Sequence, residues 1–366
     1  MKSIVFYIGS LSRGGAERVI VNLAEFFFSQ GYQVTIVTKM KEKTEYEVSE
    51  GIHRILADIE GEEISSGRIK NLYRRIYKLR NIFKQIQPDC IVSFIGKNNF
   101  MSIAASRGLH IPVIVSVRSA PDREYAGRIN KLLVSVLFGM AEGVVLQTTQ
   151  ARAFFRKGIQ KKSVILPNPL NPNFVKEPFT GKRKKEIVWV GRMDENKNPR
   201  MLLEAFHHIY KQHEDWKVIY YGDGEQKEQL EELCIRYHLQ DKVRFAGKVD
   251  GVENLIDKAS VFCLTSRVEG MPNALLEAMA LGVVPISTDC PCGGPRDLIR
   301  NGINGILIPV DDIDALAQAL DELLSDENKR NHMSAEAYKI LEKNHPDYVN
   351  RQCMTYIEKT KEKEHD

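Results

Sequence analysis

The chain runs twice through one pattern: short continuous apolar runs separated by amphipathic stretches. In the first half the runs are Ser3–Ile8, Gln33–Thr38, Cys90–Phe94, Val113–Val117, Gly143–Gln147 and Val164–Leu166. In the second half they are Ile187–Val190, Lys217–Tyr221, Val243–Phe245, Ser260–Leu264, Val284–Ser287 and Gly305–Ile308. Helical spacing fills the intervals, as in Ala16–Ser29, Ile69–Ile86, Arg200–His213, Gln226–His238, Asn273–Leu281 and Asp312–Ser325. A strand apolar on both faces must be covered on both faces, and parallel neighbours need crossover helices. The expectation is therefore α/β, with two Rossmann-like domains facing across a cleft. The segment from Pro167-Asn-Pro-Leu-Asn-Pro172 to Thr180-Gly-Lys-Arg-Lys-Lys185 is rich in Pro, Asn, Gly and charge, and separates the halves. The expected division is 1–170, a linker 171–185, a second domain 186–345, and a last helix 346–366 packing back on the first domain.

At 366 residues the chain exceeds one typical domain. Its 43% hydrophobic and 27% charged residues suit an ordinary globular protein, and a net charge of +4 does not call for nucleic acid. Six scattered Cys make no disulfide framework, which fits a reducing compartment. Cys290-Pro-Cys292 has no second pair to complete a zinc site, so no metal is expected. The opening Met1–Gly9 turns polar too quickly for a signal peptide and reads as a first strand. No apolar run is long enough to span a bilayer, and Leu132–Met140 is core-sized.

Chemistry concentrates where strands end. Glu269-Gly-Met-Pro-Asn-Ala-Leu-Leu-Glu277 follows the apolar run ending at Thr265. Pro272 suits a first helical turn, whose free amides make an anion site. Glu277 falls one turn above Asn273, and Glu269 stays in the loop. Two acids beside a ring of backbone donors fit a polyhydroxylated, phosphate-bearing ligand such as a nucleotide-sugar. Alone, the pair fits a solvated surface as well, because the helix dipole favours an early Glu.

A second segment runs Val188-Trp-Val-Gly-Arg192-Met-Asp-Glu-Asn-Lys197-Asn-Pro199. Asn198 reads as a helix cap and Pro199 as the first helical residue. Arg192 and Lys197 between them offer a planar fork and a point charge to a diphosphate. Gly9-Ser-Leu-Ser-Arg-Gly14-Gly15-Ala-Glu-Arg18 and Gly222-Asp-Gly224 are turns where backbone can approach a ligand closely. The first is not G-x-G-x-x-G, and no acid ends the second strand, which disfavours a nicotinamide cofactor.

In combination these segments resemble the retaining glycosyltransferases of family four, which have the GT-B fold. The matching residues are Gly14-Gly15-Ala-Glu-Arg18, Gly191-Arg192 with Lys197-Asn-Pro199, Gly222-Asp-Gly224, Glu269-Gly-Met-Pro272 with Leu276-Glu277-Ala-Met-Ala280, and Asn304-Gly305. The resemblance covers nearly the whole chain and is nearest to bacterial enzymes that build capsular, exopolysaccharide and lipid-linked glycans. It implies that Arg192 and Lys197 bind the donor diphosphate, that Glu277 holds the ribose hydroxyls, and that Glu269 faces the transferred sugar. Gly14, Gly15, Gly222, Gly270, Met271, Pro272, Asn273 and Ala274 would complete the donor site. No metal and no cofactor are implied, with a UDP-sugar as the favoured donor.

The chain departs from the family pattern at Arg118, where many relatives carry a His that contacts the donor sugar. Arg acts there only as a cation. Gly67–Lys84 contains no acid and places Ile69, Leu72, Ile76, Leu79, Phe83 and Ile86 on one stripe. Its cations, among them Arg68, Arg74, Arg75 and Lys78, suit an anionic headgroup or a lipid pyrophosphate, or are simply a solvated face. The resulting expectation is a retaining, metal-independent transferase. It would move a sugar from a UDP-sugar to a glycan or lipid-linked acceptor, without nucleic acid, at the inner face of the cell membrane. An epimerase of the same fold, or a non-catalytic transferase-like binding subunit, is the alternative.

Overall fold

A computed structural model describes residues 2–362 except 13, 60, 62, 63 and 65, with side chains to residue 360. The chain divides into two compact units, Met1–Pro169 with Asp347–Asp366, and Leu170–Pro346.

The first unit carries β1 (Ser3–Ile8), α1 (Gly15–Ser29), β2 (Gln33–Thr38), β3 (His53–Leu56), α2 (Arg68–Ile86), β4 (Cys90–Phe94) and α3 (Gly96–Ser106). It continues with β5 (Val113–Ser116), α4 (Arg128–Met140), β6 (Gly143–Leu146) and β7 (Ser163–Ile165). Its described strands form one parallel sheet in the order β3-β2-β1-β4-β5-β6-β7. The chain reverses direction between β1 and β4, which opens a crevice at the strands' carboxyl ends. Apolar clusters cover both faces: Phe6, Phe27 and Val92 on one, Tyr7, Phe83 and Phe138 on the other. β3 escaped the sequence reading because it is an edge strand without a buried residue.

The second unit holds β8 (Lys184–Val190), α5 (Pro199–Ile209), β9 (Lys217–Tyr221), α6 (Lys227–Arg236), β10 (Val243–Gly247), β11 (Ala259–Leu264) and α7 (Asn273–Ala280). Then come β12 (Val284–Thr288), α8 (Gly294–Leu298), β13 (Ile306–Ile308), α9 (Ile313–Ser325) and α10 (Glu327–Tyr338). The strand order is β10-β9-β8-β11-β12-β13, again all parallel and with its reversal at β8 and β11. Leu170, expected at the end of the first domain, and Phe174 of the expected linker are buried in this unit's core, and β8 already begins at Lys184. The last helix, α11 (Pro346–Glu362), buries Cys353 and Ile357 in the first unit's core.

Two sequence expectations need correction in the first unit. The α2 stripe buries only toward its carboxyl end, at Leu79, Ile82 and Phe83. Ile69 remains 86% exposed and Leu72 48%. Leu132–Met140 is not a core segment. It lies in α4, which buries only Val134 and Phe138 and leaves Leu132 65% exposed. A run of apolar residues on a helix goes all the way round, whereas α3 covers one side only.

Leu79→Ala is expected to lower stability by about 2–5 kcal/mol, the range for a large-to-small change in a packed core. Leu72→Ala, on the same stripe, should stay within about 0.5 kcal/mol. Denaturant midpoints of the two variants check this; equal losses would mean that the stripe is buried along its whole length.

Candidate functional site

In the second unit the loops at the carboxyl ends of β8, β9 and β11 meet backbone to backbone. The Gly191 amide donates to the Tyr221 carbonyl at 3.0 Å, and the Met193 amide to Asp223 at the same distance. Gly222 has φ +135°, and a Cβ there would stand 1.8 Å from the Gly191 carbonyl oxygen. Only glycine fits. The same holds behind the acidic loop, where a Cβ on Gly294 would stand 1.8 Å from the Gly270 carbonyl oxygen.

The two informative loops are clasped to each other. Lys197 donates from Nζ to Glu269 Oε1 in a short ion pair, and Ser266 Oγ donates to the same oxygen at 2.6 Å. Thr265 Oγ1 donates to the Lys197 carbonyl at 2.9 Å, and Trp189 Nε1 donates to Thr265 Oγ1 at 3.1 Å. Asn196 Nδ2 reaches the Val268 carbonyl at 3.0 Å, and the Arg267 amide the Asn196 carbonyl at 2.7 Å. The Glu269 amide and carbonyl bond to Pro291 and Cys292, each at 2.6 Å. Burial, then the Glu269 charge, pushes the Cys290 thiol up to about 12, so it is not a nucleophile at neutral pH.

α7 begins at Asn273 with Pro272 as its cap residue, one position later than a proline inside the first turn. Glu277 lies within α7 and is buried. Met271 is buried, and Gly270, Asn273 and Ala274 are half-buried. Asn198 does not cap α5. It sits at φ +46° with no side-chain cap bond, and its amide donates to Asp311 Oδ1 at 2.8 Å. The left-handed backbone turns the side chain away from the helix amides, while Pro199 does open the helix. Arg192 is 78% exposed and bonds Asp194 Oδ2 at 2.5 Å. The structure thus joins Lys197 to Glu269, and turns Arg192 onto a different acid. Asn196, Thr265 and Asp311 hold the loops and were missed, because the partners they clasp lie far away in the sequence; Ser266, which bonds the nearby Glu269, was missed as well.

In the first unit, Gly14 is the cap residue of α1 and Gly15 its first residue, just after β1. Glu17 follows in the first turn, and burial pushes its carboxyl up. Arg118 lies just past β5. Its Nε donates to Ser116 Oγ at 2.7 Å and Nη1 to Asn168 Oδ1 at 2.9 Å, with the guanidinium 4.9 Å from the Phe94 ring centre. Burial pushes Arg118 down to about 10, which leaves it charged at neutral pH. On α2, Arg75 pairs with Asp58 at 2.7 Å and Lys78 donates to the Asp58 carbonyl at 2.6 Å. These two cations are therefore partly spent, while Arg68 and Lys70 are exposed.

Residues 13–174 match the Glycosyltransferase Family 4 domain and residues 172–340 the Glycosyl transferases group 1 domain. A Campylobacter jejuni relative, the GalNAc-alpha-(1->4)-GalNAc-alpha-(1->3)-diNAcBac-PP-undecaprenol alpha-1,4-N-acetyl-D-galactosaminyltransferase, is 31% identical over 91% of this chain and 92% of its own. This chain is a family 4 glycosyltransferase of GT-B fold. The Erwinia amylovora amylovoran biosynthesis glycosyltransferase AmsD is 24% identical over 92% of this chain and 94% of its own. The Anabaena protein Alr3699/HepE, solved in complex with UDP, superposes with a TM-score of 0.81 at 16% identity, covering 98% of this chain and 100% of its own. The transferase has no described helix long and apolar enough to cross a membrane. Among its described residues no cluster of three metal-binding side chains occurs.

In this transferase Gly222→Ala places a methyl group inside a backbone contact and in a forbidden φ region. The expected loss is at least about 1–3 kcal/mol of stability, read as a lowered unfolding midpoint. A midpoint equal to the wild type would mean that the two loops do not touch.

Proposed function

We propose that this transferase takes a sugar from UDP-sugar, with retention and without a metal, and gives it to a lipid-linked saccharide in bacterial surface-glycan assembly. The observation that carries the reading is the Lys197–Glu269 clasp between the β8 and β11 loops, beside the start of α7. The relatives support the same reading: one acts on an undecaprenyl-diphosphate glycan, and a structural neighbour was solved with UDP.

The roles follow from the chemistry of the groups. The donor diphosphate takes up the Lys197 ammonium at the positive end of the α7 dipole, with Arg192 swinging in from the surface. Glu277 accepts from the ribose hydroxyls, and Glu269, released by Lys197, accepts from the transferred sugar. Gly222, Gly270, Met271, Pro272, Asn273 and Ala274 line the donor. Arg118 contacts a substrate oxygen as a fixed cation. The bond from the anomeric carbon to the phosphate oxygen breaks, and the acceptor oxygen bonds to that carbon on the same face. The acceptor's proton passes to the departing phosphate. Cations and a helix dipole already aimed at the growing phosphate charge lower the barrier by preorganisation.

The acceptor side of the reading rests on α2 and α4. Neither helix contains an acid, and both pack against α3. Ile69, Leu72, Tyr73 and Tyr77 on α2, and Ile129, Leu132, Leu133, Val136 and Met140 on α4, are exposed. Arg68, Arg74, Arg75 and Lys78 lie among them on α2. Apolar side chains beside cations complement an anionic lipid surface, and the protein works peripherally at the cytoplasmic face.

Two measurements test the donor roles. Lys197→Ala is expected to weaken UDP binding by roughly 10- to 100-fold, the loss of a charged hydrogen bond. Glu277→Gln is expected to weaken UDP binding, and Glu269→Gln to act on turnover with bound UDP little changed. Calorimetry and steady-state kinetics check both; wild-type UDP affinity in Lys197→Ala and Glu277→Gln would end the donor assignment. Transfer in the presence of a chelator tests metal independence, and the anomeric configuration of the product tests retention.

The membrane surface has its own measurement. Arg68, Lys70 and Arg74 changed together to Gln should reduce flotation with phosphatidylglycerol vesicles, most at low salt, and leave UDP affinity unchanged. Unaltered flotation would return α2 to an ordinary solvated face. Arg75 and Lys78 are kept, because their bonds to Asp58 hold the helix itself.

A further inference from the structure

Among the described residues, Arg54, Arg183 and Arg330 are buried or half-buried guanidinium groups whose jobs the fold explains, and Arg118 differs from them. Arg54 pairs with Glu45. Arg183 donates to the carbonyls of Asp257, Ala259 and Leu281, which would otherwise be left open where chain segments end. Arg330 donates to the carbonyls of Leu323 and Leu324 at the end of α9 and lies over Trp216. Among the described residues, Arg118 bonds no carbonyl and pairs with no carboxylate. Its partners are a hydroxyl, an amide oxygen and an aromatic ring.

Those partners are themselves held. Asn168 Oδ1 also accepts from Gln147 Nε2, and the Ser116 carbonyl accepts from Asn99 Nδ2 at 3.0 Å. Asn99 is fixed in turn by Ser93 Oγ and by Tyr125, all of them buried. Of the acids that follow it in sequence, Asp122 is exposed, and Glu124 spends its two oxygens on the Gly96 amide and on Ser119 Oγ. The Cys353 thiol near Arg118 is neutral, its burial pushing it up to about 11. Nη2 of Arg118 has no acceptor among the described residues.

A half-buried cation without a counter-charge is costly unless a ligand supplies one. Here a network across β4, β5, β6 and the segment after β7 fixes that cation at the strand ends where ligands bind in such sheets. We infer that Arg118 is an oxyanion-reading residue: the substrate portion bound at the carboxyl end of β5 carries a phosphate or a carboxylate, and Arg118 selects for it. The inference rests on the sugar-transfer reading and adds the charge of the substrate to it. A neutral sugar would satisfy Nη2 with one hydroxyl and leave the charge uncompensated. A phosphate or a uronate satisfies both.

The test uses the full chain with UDP present at saturation, so that the phosphate grip of the second unit is filled. Sodium pyrophosphate, glucuronate and glucose are titrated separately into wild type, Arg118→Lys and Arg118→Gln. Pyrophosphate or glucuronate should bind the wild type, and Arg118→Gln should lower that affinity by roughly 10- to 100-fold. Arg118→Lys should keep part of it, because the charge remains and the fork is lost. Glucose should not distinguish the three proteins. Loss for pyrophosphate assigns a phosphate, and loss for glucuronate a sugar acid. Equal anion affinities in wild type and Arg118→Gln, or no anion binding by the wild type, would overturn the inference. An unfolding midpoint of Arg118→Gln close to the wild type excludes a collapsed site; if that variant does not fold, the comparison of wild type with Arg118→Lys decides. Failure of UDP itself to bind would instead count against the sugar-transfer reading.

Discussion

The loops at the strand ends of the second unit hold their shape because neighbouring loops touch through their backbones. Gly222 lies against the Gly191 carbonyl with no room for a methyl group, and Gly294 lies against Gly270 in the same way. Side chains cannot supply such closeness, because their rotamers hold backbones further apart. Backbone groups of neighbouring loops also bond to each other, and the Arg267 amide to the Asn196 carbonyl joins the two loops that carry Glu269 and Lys197. The glycines therefore precede the chemistry. They fix each of the two loops against its outer neighbour, and the Asn196, Thr265 and Arg267 bonds then hold the ammonium of one loop against the carboxylate of the other.

The ion pair has a consequence for ligand exchange. In the structure Lys197 and Ser266 both satisfy Glu269 Oε1. A diphosphate that takes Lys197 leaves the carboxylate with its Ser266 bond and freed acceptor capacity, which a sugar hydroxyl can use. Under the proposed roles, binding one ligand group readies the receptor of another. The cost of separating the pair is moderate, since Lys197 is only partly buried and water screens it.

How far the sequence carried the reading depends on the range of the interaction. Parallel strands are apolar on both faces, so they announced themselves, and the bounds of Ser3–Ile8, Gln33–Thr38, Cys90–Phe94 and Lys217–Tyr221 agree with the structure. β3 did not, because an edge strand with no buried residue has no continuous apolar run. Pro272 and Pro199 marked helix starts, since a proline acts through its own backbone. Asn198 misled, because capping depends on a backbone angle that the residue type does not fix. The Lys197–Glu269 contact spans 72 residues and left no local trace.

The same limit explains the two misread helices, and it bears on function. Periodicity says that a helix has an apolar side; it does not say what covers that side. α3 covers the carboxyl-terminal part of α2 and the Val134 and Phe138 side of α4. The uncovered parts carry Ile69, Leu72, Ile129 and Leu132 into solvent. Removing such residues from water is worth roughly 1.5–3 kcal/mol each when complete, more than the ~1 kcal/mol that a cation gains near an anionic surface. If this face meets a bilayer, burial supplies most of the affinity and charge supplies the choice of lipid. Salt would then weaken the preference for anionic vesicles without abolishing attachment.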